Sequence, residues 1–316
     1  MLPVNPNACN RTILKSLMTA DFQHTHVPVL CKEVIEILDP LPGKIYIDGT
    51  FGGGGYTRAI LNKGVAKVIA FDRDSDAIKR AQSFSQEFGD RFEIIHACFS
   101  EMDKYLKPEL MAGIVFDFGI SSYQVDQAHR GFSFRQNGPL DMRMGMGSAY
   151  SAADVVNTFK EQDIAEILRV YGEEPRAKRI AKAIIDARSV KLFETTQELA
   201  TLIRTIVPSQ DGFDAATLTF QGLRIFVNNE LIEIEQALQQ SNKLLPIGGR
   251  LITVAFHALE DRLVKNHSRI DFNYQEFLCT YSAINRKVIT PSPDEIKLNP
   301  RCRSAKMRGF IKEIRR

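Results

Sequence analysis

The chain has 316 residues, of which 44% are hydrophobic and 25% are charged, and its formal net charge is +3. This composition is typical of a soluble globular protein and excludes wholesale disorder. No apolar run approaches the roughly 18 residues that a membrane-spanning helix needs, so no membrane span is predicted. The length leaves room for about one or two domains.

The five cysteines and six histidines form no metal-binding pattern. The cysteines are scattered without a CxxC pair, so no metal site is predicted, and reduced thiols fit a cytoplasmic protein. Residues 1–23 lack the charged start, long apolar run and cleavage site of a secretory signal. We expect these residues to form a poorly ordered leader.

Strands and helices alternate after this leader. A first helix is predicted over 29–38, and the nearly continuous apolar runs that follow predict strands over 44–48, 67–72, 92–96 and 113–117. Such runs are typical of parallel strands buried on both faces of a sheet. The order of the elements predicts an α/β fold, a doubly wound Rossmann-like sheet.

The pattern changes after the fourth predicted strand. Residues 128–217 predict a mostly helical insertion, which is followed by one long helix over 218–245 and a strand over 249–256. The tail over 307–314 predicts a last edge strand. The predicted organisation is therefore an α/β domain of residues 24–127 plus 218–316, with an inserted helical domain of residues 128–217.

A glycine-rich loop follows the first predicted strand, directly after Asp48. Gly49 and Gly52–Gly55 supply five glycines in seven residues. In a doubly wound sheet ligands bind beyond the carboxyl ends of the strands, and glycine lets a ligand touch the backbone. The alternative is a flexible surface loop. The dinucleotide motif GxGxxG is absent, because Thr57 and Arg58 stand where a third glycine is needed.

Three further residues end or follow predicted strands at the same edge. Asp72 can accept hydrogen bonds from both hydroxyls of a ribose, or it caps the next helix. Phe99 can lie against an adenine ring, or it packs in the core. Asp117 is expected beside the transferred group. Without a phosphate-binding motif, the pattern indicates an adenosyl ligand that has no pyrophosphate, and S-adenosylmethionine (SAM) is the common one.

Basic and aromatic residues indicate an RNA partner. Phe132 and Phe134 lie between Arg130 and Arg135, an arrangement that can stack on bases and hold phosphates. The alternative is that these phenylalanines belong to the core. A basic segment of the insertion is the candidate RNA platform, unless it is a solvated helix face; its residues are Arg176, Lys178, Arg179 and Lys182. His257 ends the fifth predicted strand and either contacts the nucleotide or caps the next helix.

Several stretches, taken in order, resemble a known family. They include YIDGTFGGGGYT, DFGISSYQVD, RGFSFRQNGPLDMRM, TFQGLRIFVNNEL and FHALEDR. Over about residues 24–316 the sequence resembles the family of bacterial ribosomal RNA small subunit methyltransferase H, also called MraW. The resemblance implies SAM-dependent methylation of N4 of a cytidine, at rRNA position 1402, in the decoding centre of 16S rRNA. It also implies a cytoplasmic enzyme that acts on 16S rRNA or the small subunit, and it suggests a homodimer.

The resemblance also implies a set of cofactor contacts. The positions that match the family's contacts are Gly54, Gly55, Tyr56, Asp72, Phe99, Asp117 and Gln124. Two residues depart from the family pattern: Tyr56 stands where histidine is usual, and Tyr123 replaces a proline. Asp117 is also the candidate catalytic residue, since an acceptor near N4 draws on the protons of that weakly nucleophilic amine.

Three other functions are compatible with parts of the pattern. A nicotinamide-dependent dehydrogenase shares the architecture but needs the missing GxGxxG motif. A non-catalytic RNA-binding protein shares the basic segments. A SAM-dependent amino-methyltransferase that acts on another nucleic acid or on a protein shares the predicted cofactor site.

Overall fold

The structure is a computed structural model that describes residues 28–107, 111–145, 148–208 and 214–315. The predicted leader, residues 1–23, lies outside the described residues. Within them the strands are β1 Ile45–Asp48, β2 Lys67–Asp72, β3 Phe92–His96, β4 Met111–Asp117, β5 Arg250–Ala255, β6 Phe272–Tyr274, β7 Phe277–Ala283 and β8 Lys306–Ile314. The five strands predicted before the tail, β1 to β5, are confirmed to within two residues.

Twelve α-helices lie in the same described ranges. They are α1 Cys31–Leu38, α2 Gly55–Leu61, α3 Ser75–Phe88, α4 Ser122–Asp126, α5 Ala152–Thr158, α6 Glu161–Val170, α7 Ala177–Arg188, α8 Thr196–Ile206, α9 Thr217–Asn228, α10 Glu230–Leu244, α11 Ala258–His267 and α12 Pro293–Leu298. None of these helices is long and apolar enough to cross a membrane.

The described strands form one sheet in the order β3-β2-β1-β4-β5-β8-β7-β6. The first five strands in this order pair in parallel, and β8, β7 and β6 add antiparallel pairs. The chain moves from β1 outward to β3 and then returns to place β4 on the other side of β1. This reversal opens a crevice at the carboxyl ends of β1 and β4, where ligands bind in such sheets. The doubly wound α/β prediction is confirmed.

The last strand is not at the edge of the sheet, so that part of the prediction is wrong. β8 pairs with β5 on one side and with β7 on the other. The hairpin of β6 and β7, which was not predicted, provides the edge. The sequence FNYQEFLCTYSA contains both strands, but alternating burial gives them a much weaker apolar signal than β1 to β5.

Two apolar layers cover the sheet, and a third core lies apart from it. α1, α2 and α3 pack on one face, while α10 packs on the other. The third core is formed by buried residues from Phe132 to Val227, chiefly from α5 to α9. The predicted boundary at residue 217 coincides with the start of α9, yet Phe220, Leu223 and Val227 of that helix belong to this helical core.

The single long helix predicted over 218–245 is wrong, because α9 and α10 are separate. Asn229 adopts the left-handed conformation with φ 53°. Asn228 has an amide that donates to the carbonyl of Met142 at 2.7 Å and accepts from the backbone N–H of Met144 at 2.8 Å. Asparagine tolerates left-handed backbone better than other non-glycine residues, so the Asn-Asn pair explains the break.

Lys312 fixes the far end of α10. It is buried in β8, and its ammonium donates to the carbonyls of Asn242 and Leu245 at 2.7 Å each. A cation at a helix carboxyl end satisfies carbonyls that have no helical partner and complements the helix dipole. The last strand therefore holds the helix that begins, at Glu230, close to the site described below.

We expect Asn229→Ala to lower the melting temperature by about 2–4 °C, because left-handed backbone costs alanine roughly 1–2 kcal/mol. Asn229→Gly, which accepts this conformation, should leave the melting temperature within about 1 °C. Thermal unfolding of both variants measures the difference. Equal melting temperatures for the two variants would contradict this explanation of the break.

Candidate cofactor site and active site

A cavity of about 400 Å³ lies at the carboxyl ends of β1, β2 and β4. The glycine loop forms one wall, and the segment from Asp117 to Val125 forms another. The volume is in the range of sites for small molecules and cofactors. The structure thus brings together the predicted Gly55, Tyr56, Asp72, Phe99, Asp117 and Gln124.

Two buried carboxylates at the ends of β1 and β2 hold the glycine-rich loop in place. Asp48 accepts from the hydroxyl of Thr57 at 2.7 Å and from the backbone N–H of Thr50 at 3.1 Å. Asp72 accepts from the backbone N–H of Gly52 at 2.8 Å. The loop therefore follows a path fixed by side chains, and the alternative of a flexible surface loop is wrong.

Most glycines of this loop serve close packing inside the protein. A Cβ on Gly49 would lie 2.3 Å from the ring of Phe116, and one on Gly54 would lie 2.3 Å from the ring of Phe84. A Cβ on Gly55 would collide with Pro28 at 2.7 Å. Gly54 also has a φ of 76°, which favours glycine. Gly54 therefore belongs to the loop's packing rather than to the residues that line the cavity.

Asp72 is placed to accept hydrogen bonds from a ligand. Its Oδ1 accepts from the N–H of Asp74 at 2.8 Å and its Oδ2 from that of Gly52. Each carboxylate oxygen can accept a second bond, so two acceptors remain for a pair of hydroxyls. Burial raises the pKa of Asp72 to about 6. The alternative that Asp72 caps the next helix is wrong, because the N-cap is Asp74, whose carboxylate accepts from the N–H of Asp76 at 3.0 Å.

Two of the predicted contact residues bring aromatic rings to the cavity. Phe99 is half-buried, and its ring packs against Phe116 at 5.7 Å and Phe118 at 6.2 Å between centroids. Tyr56 is buried in the first turn of α2, and its hydroxyl donates to the carbonyl of Val29. Tyr56 thus faces the cavity with its ring, and its hydroxyl is engaged by the protein.

Gln124 positions the loop after β4. Its side-chain oxygen accepts from the N–H of Ser121 at 2.9 Å, and its amide donates to Asp74 at 2.9 Å. Both polar ends are therefore engaged by protein groups. Tyr123, the other departure from the family pattern, stacks under the guanidinium of Arg80 at 4.3 Å and covers Gly53.

Asp117 has the least satisfied carboxyl group in the site. Its Oδ1 is buried and accepts no hydrogen bond within the described residues. Burial, followed by the nearby carboxylates of Asp48 and Glu260, raises the pKa of Asp117 well above its usual value. Such a group binds a cation or a hydrogen-bond donor well, because either compensates a buried carboxylate.

The arginine and aromatic residues predicted to bind RNA have other roles in the structure. Arg130 pairs with Asp74 at 3.0 Å and donates to the carbonyl of Arg143 at 3.2 Å. Phe132 is buried in the helical core, and Phe134 packs edge-on against Phe220. The core alternative therefore describes Phe132, whereas Phe134 is half-buried and its stacking on a base stays a prediction. Arg135 is exposed.

The basic face of α7 is open to solvent. Lys178, Arg179 and Lys182 are exposed, and none of them forms an ion pair with the residues that the structure describes. Arg176 stands just before the helix and is half-buried. The helix therefore presents uncompensated positive charge.

His257 occupies the N-cap position of α11. Its Nε2 lies 3.0 Å from Oε1 of Glu260, whose Oε2 accepts from the N–H of Phe256 at 2.6 Å. Of the two roles predicted for His257, a contact with the nucleotide or a cap of the next helix, this position corresponds to the cap. His257 is not among the residues that line the cavity described above. The sequence predicted no metal site, and Glu230 was not among the candidate residues. In the structure, one ligand atom from each of Glu230, His257 and Glu260 lies within 4.8 Å of the others.

Two residues at the site were missed. Asp74 links α3, α4 and Arg130, and the only signal for it was its place two residues after Asp72. Arg224 comes from α9 and lines the cavity. Nothing local in the sequence marks it, because it reaches the cavity only through the packing of α9.

Comparison with known proteins agrees with this geometry. The sequence matches the MraW methylase family over residues 23–313. The chain belongs to this family. Ribosomal RNA small subunit methyltransferase H of Parvibaculum lavamentivorans is 46% identical over 301 residues, which cover 90% of this chain and 88% of that protein. The protein of the same name from Ehrlichia canis is 45% identical over 295 residues, covering 91% of this chain and 99% of its own.

Solved structures are more distant. An rRNA methylase from Streptococcus thermophilus aligns with 90% of this chain and 93% of its own at 12% identity and a TM-score of 0.42. That likeness carries no argument about function. As a member of its family, the chain is a methyltransferase that uses SAM.

The residues of the cavity fit this cofactor. Asp72 offers two acceptor positions for ribose hydroxyls, and Phe99 offers a ring beside the adenine. The unpaired Oδ1 of Asp117 suits the positively charged sulfonium. The cavity therefore has a nucleoside end at β2 and β3 and a reactive end at β4.

We expect Asp72→Asn to weaken SAM binding by about 10- to 100-fold, since hydrogen bonds to a charged acceptor contribute roughly 1.5–3 kcal/mol. The affinity of the wild type should also fall as the pH drops below about 6, where Asp72 becomes protonated. Calorimetric titration between about pH 5 and 8 measures both effects.

The matched control is the pH profile of the Asp72→Asn variant, which should be less steep than that of the wild type because Asp72 no longer contributes to it. An equal slope in variant and wild type would contradict the assignment.

Without SAM, pH affects the stability of the fold in the opposite direction, because the pKa of Asp72 in the folded protein lies above that of an aspartate in the unfolded chain. The stability from this group is full below about pH 4 and is lost as the pH rises through about 6.

Proposed function

We propose that this enzyme methylates N4 of a cytidine in 16S rRNA, at the position that the family resemblance gives as 1402. The observation that carries the proposal is the reactive end of the cavity, where the unpaired oxygen of Asp117 lies beside a SAM site. Two relatives that cover about 90% of the chain bear the name ribosomal RNA small subunit methyltransferase H. The reaction takes place in the cytoplasm, where rRNA is available.

Asp117 acts at the amine. Bound SAM supplies an electrophilic methyl group on a cationic sulfur. The N4 amine of cytosine is a weak nucleophile because its lone pair is delocalised into the ring, so acceptors for its N–H groups help to orient it and draw on its protons. Asp117 Oδ1 is an acceptor at the reactive end that no described group occupies, and the neighbouring Phe118 and Gly119, which also line the cavity, offer backbone carbonyls.

The ionisation of Asp117 depends on what is bound. Burial and the neighbouring carboxylates raise the pKa of Asp117, which favours the neutral form in the empty site. A cation placed beside it favours the charged form, so binding of SAM releases a proton and activates the acceptor. The carboxylate is then available to take one proton from N4 as the methyl group is transferred.

The helical part of the chain serves as the RNA platform. We propose that residues 128–217 form a substrate domain inserted into the methyltransferase domain of residues 24–127 and 218–316. The exposed and unpaired cations of α7 support this assignment, because phosphate contacts provide most of the affinity for RNA and fix the register. The target base is expected to leave its stack to reach the cavity.

The substrate is tested directly by mapping methylated cytidine in rRNA. Cells that lack this protein should have unmodified N4 at the target position, and the purified enzyme with SAM should restore the methyl group there. Transfer to a different nucleic acid or to a protein, with rRNA left unmodified, would favour the broader amino-methyltransferase. No transfer to any substrate would favour the non-catalytic RNA-binding protein. Light scattering of the purified protein tests the suggested homodimer.

We expect Asp117→Asn to lower kcat by about 100-fold or more, because the amide cannot accept a proton from N4. The variant should fold with a melting temperature equal to or above that of the wild type, since it removes the cost of a buried carboxyl. Steady-state kinetics with saturating SAM measure the effect. An unchanged kcat with a raised KM for SAM would confine Asp117 to cofactor binding.

We expect Arg179→Glu with Lys182→Glu to weaken RNA binding by about 10- to 100-fold at about 0.1 M salt and to reduce the slope of log K against log salt by about 2. SAM binding should not change. The matched control is Lys44→Glu with Lys63→Glu, two exposed lysines at the amino ends of the strands, opposite the cavity. Equal loss of RNA affinity in both double variants would count against α7.

A further inference from the structure

A buried group of charges lies behind the reactive end of the cavity. We name it the Arg224 cluster; its members are Arg224, Glu230, His257 and Glu260. Arg224 forms a two-pronged ion pair with Glu230, from Nε to Oε1 at 2.8 Å and from Nη2 to Oε2 at 2.8 Å. The side chains of Arg224 and Glu230 are only 14% and 7% exposed, and Glu260 is fully buried. Such pairs fix the plane of a guanidinium.

Only one nitrogen of Arg224 is left for a ligand. Nε and Nη2 are engaged by Glu230, whereas Nη1 has no hydrogen-bond partner within the described ranges and is not a fully buried atom. Arg224 also lines the cavity. Because the ion pair holds the guanidinium in place, Nη1 presents its two N–H donors in a fixed direction.

The cluster adjoins the reactive end rather than the adenosine end. Gly119, two residues after Asp117, separates the cavity from Glu260: a Cβ on Gly119 would lie 3.5 Å from Glu260 Oε1. Gly119, Phe256 and Arg224 all line the same cavity. Asp72 and Phe99 lie at the ends of β2 and β3, whereas His257 and Glu260 follow β5, on the other side of β1 in the sheet.

The charges of the cluster restrict the ligand of Arg224. One guanidinium faces two carboxylates, Glu230 and Glu260, so Arg224 has no excess positive charge left to attract an anion. A phosphate or a carboxylate is therefore not favoured at Nη1, while a neutral acceptor is compatible with it. The spacing of Glu230, His257 and Glu260 would also suit a cation, but Arg224 binds both oxygens of Glu230 and already neutralises it.

We propose that Arg224 is a specificity-determining residue that donates hydrogen bonds to the acceptor edge, N3 or O2, of the target cytosine. Glu230 and the His257–Glu260 pair are positioning residues that act through it. The proposal rests on the proposed function. Cytosine presents acceptors at N3 and O2 next to its N4 amine, whereas uracil presents a donor at N3. A fixed donor that faces N3 therefore favours cytosine and rejects uracil, whereas a contact with O2, which is an acceptor in both bases, orients the ring without discriminating between them.

The test is a cycle between enzyme and substrate. The rRNA substrate carries cytidine, 3-deazacytidine or 2-thiocytidine at the target position, and kcat/KM is measured for the wild type and for Arg224→Gln. With cytidine, Arg224→Gln should lose about 10- to 100-fold. The wild type should lose a similar factor with at least one analogue. For Arg224→Gln, replacing cytidine by that analogue should lower kcat/KM by less than about threefold, because the variant already lacks the contact.

The proposal would be overturned if, for both analogues, the loss of kcat/KM from Arg224→Gln and the loss from the analogue multiplied. Such independent losses would mean that Arg224 does not contact this edge. A tenfold weaker SAM affinity in Arg224→Gln, measured by calorimetry, would also overturn it by assigning Arg224 to the cofactor. If Arg224→Gln does not fold, Arg224→Lys keeps the charge without the two-pronged geometry and is put through the same cycle. The surface control is Arg262→Gln, which removes an exposed pair with Glu173 and should change neither value.

Glu230→Gln tests the positioning role. It should lower kcat/KM for the cytidine substrate by about tenfold and lower the preference for cytidine over the responding analogue, with SAM affinity unchanged. An unaltered preference would remove Glu230 from the proposal. Failure of the wild type to methylate the cytidine substrate would instead overturn the proposed function, and this inference with it.

Discussion

Three parallel strands each end in an aspartate at one edge of the sheet, and the need to satisfy these buried carboxyl groups organises the site. Asp48 accepts from the glycine loop and from Thr57. Asp72 accepts from Gly52 and Asp74. A buried carboxylate without such donors is unstable, so the path of each loop follows from the aspartate that precedes it. Of these three aspartates, only Asp117 has an oxygen that accepts from no donor in the described part of the chain, and the reactive end of the cavity lies there.

The glycine-rich loop shows how the same residues serve packing and binding. The glycines that suggested close approach of a ligand are required mainly because Phe116, Phe84 and Pro28 occupy the space of their side chains. This packing brings the loop down onto the sheet and onto the carboxylates that hold it. The backbone near the cofactor is consequently fixed before any ligand binds, which lowers the entropy cost of binding.

Much of the fold could be predicted from the sequence because its central strands are continuous apolar runs, a pattern with few alternatives. The hairpin of β6 and β7 could not, since β6 has only three residues and β7 alternates between buried and more exposed residues. The site divides in the same way. Asp72, Phe99 and Asp117 follow strands and were found from their positions. Arg130 and Phe132 were assigned to RNA from local composition, yet long-range contacts with Asp74 and the helical core decide their roles.

The position of β8 between β5 and β7 has a consequence for synthesis of the chain. Residues 306–314 complete the sheet from within, and Lys312 fixes one end of α10 while Glu230 at the other end holds Arg224. A growing chain lacks these contacts until residues 306–314 have left the ribosome, although the parallel strands before β8 are by then available to pair. The sheet of the methylase is therefore completed only when β8 has emerged, after every other strand of the sheet.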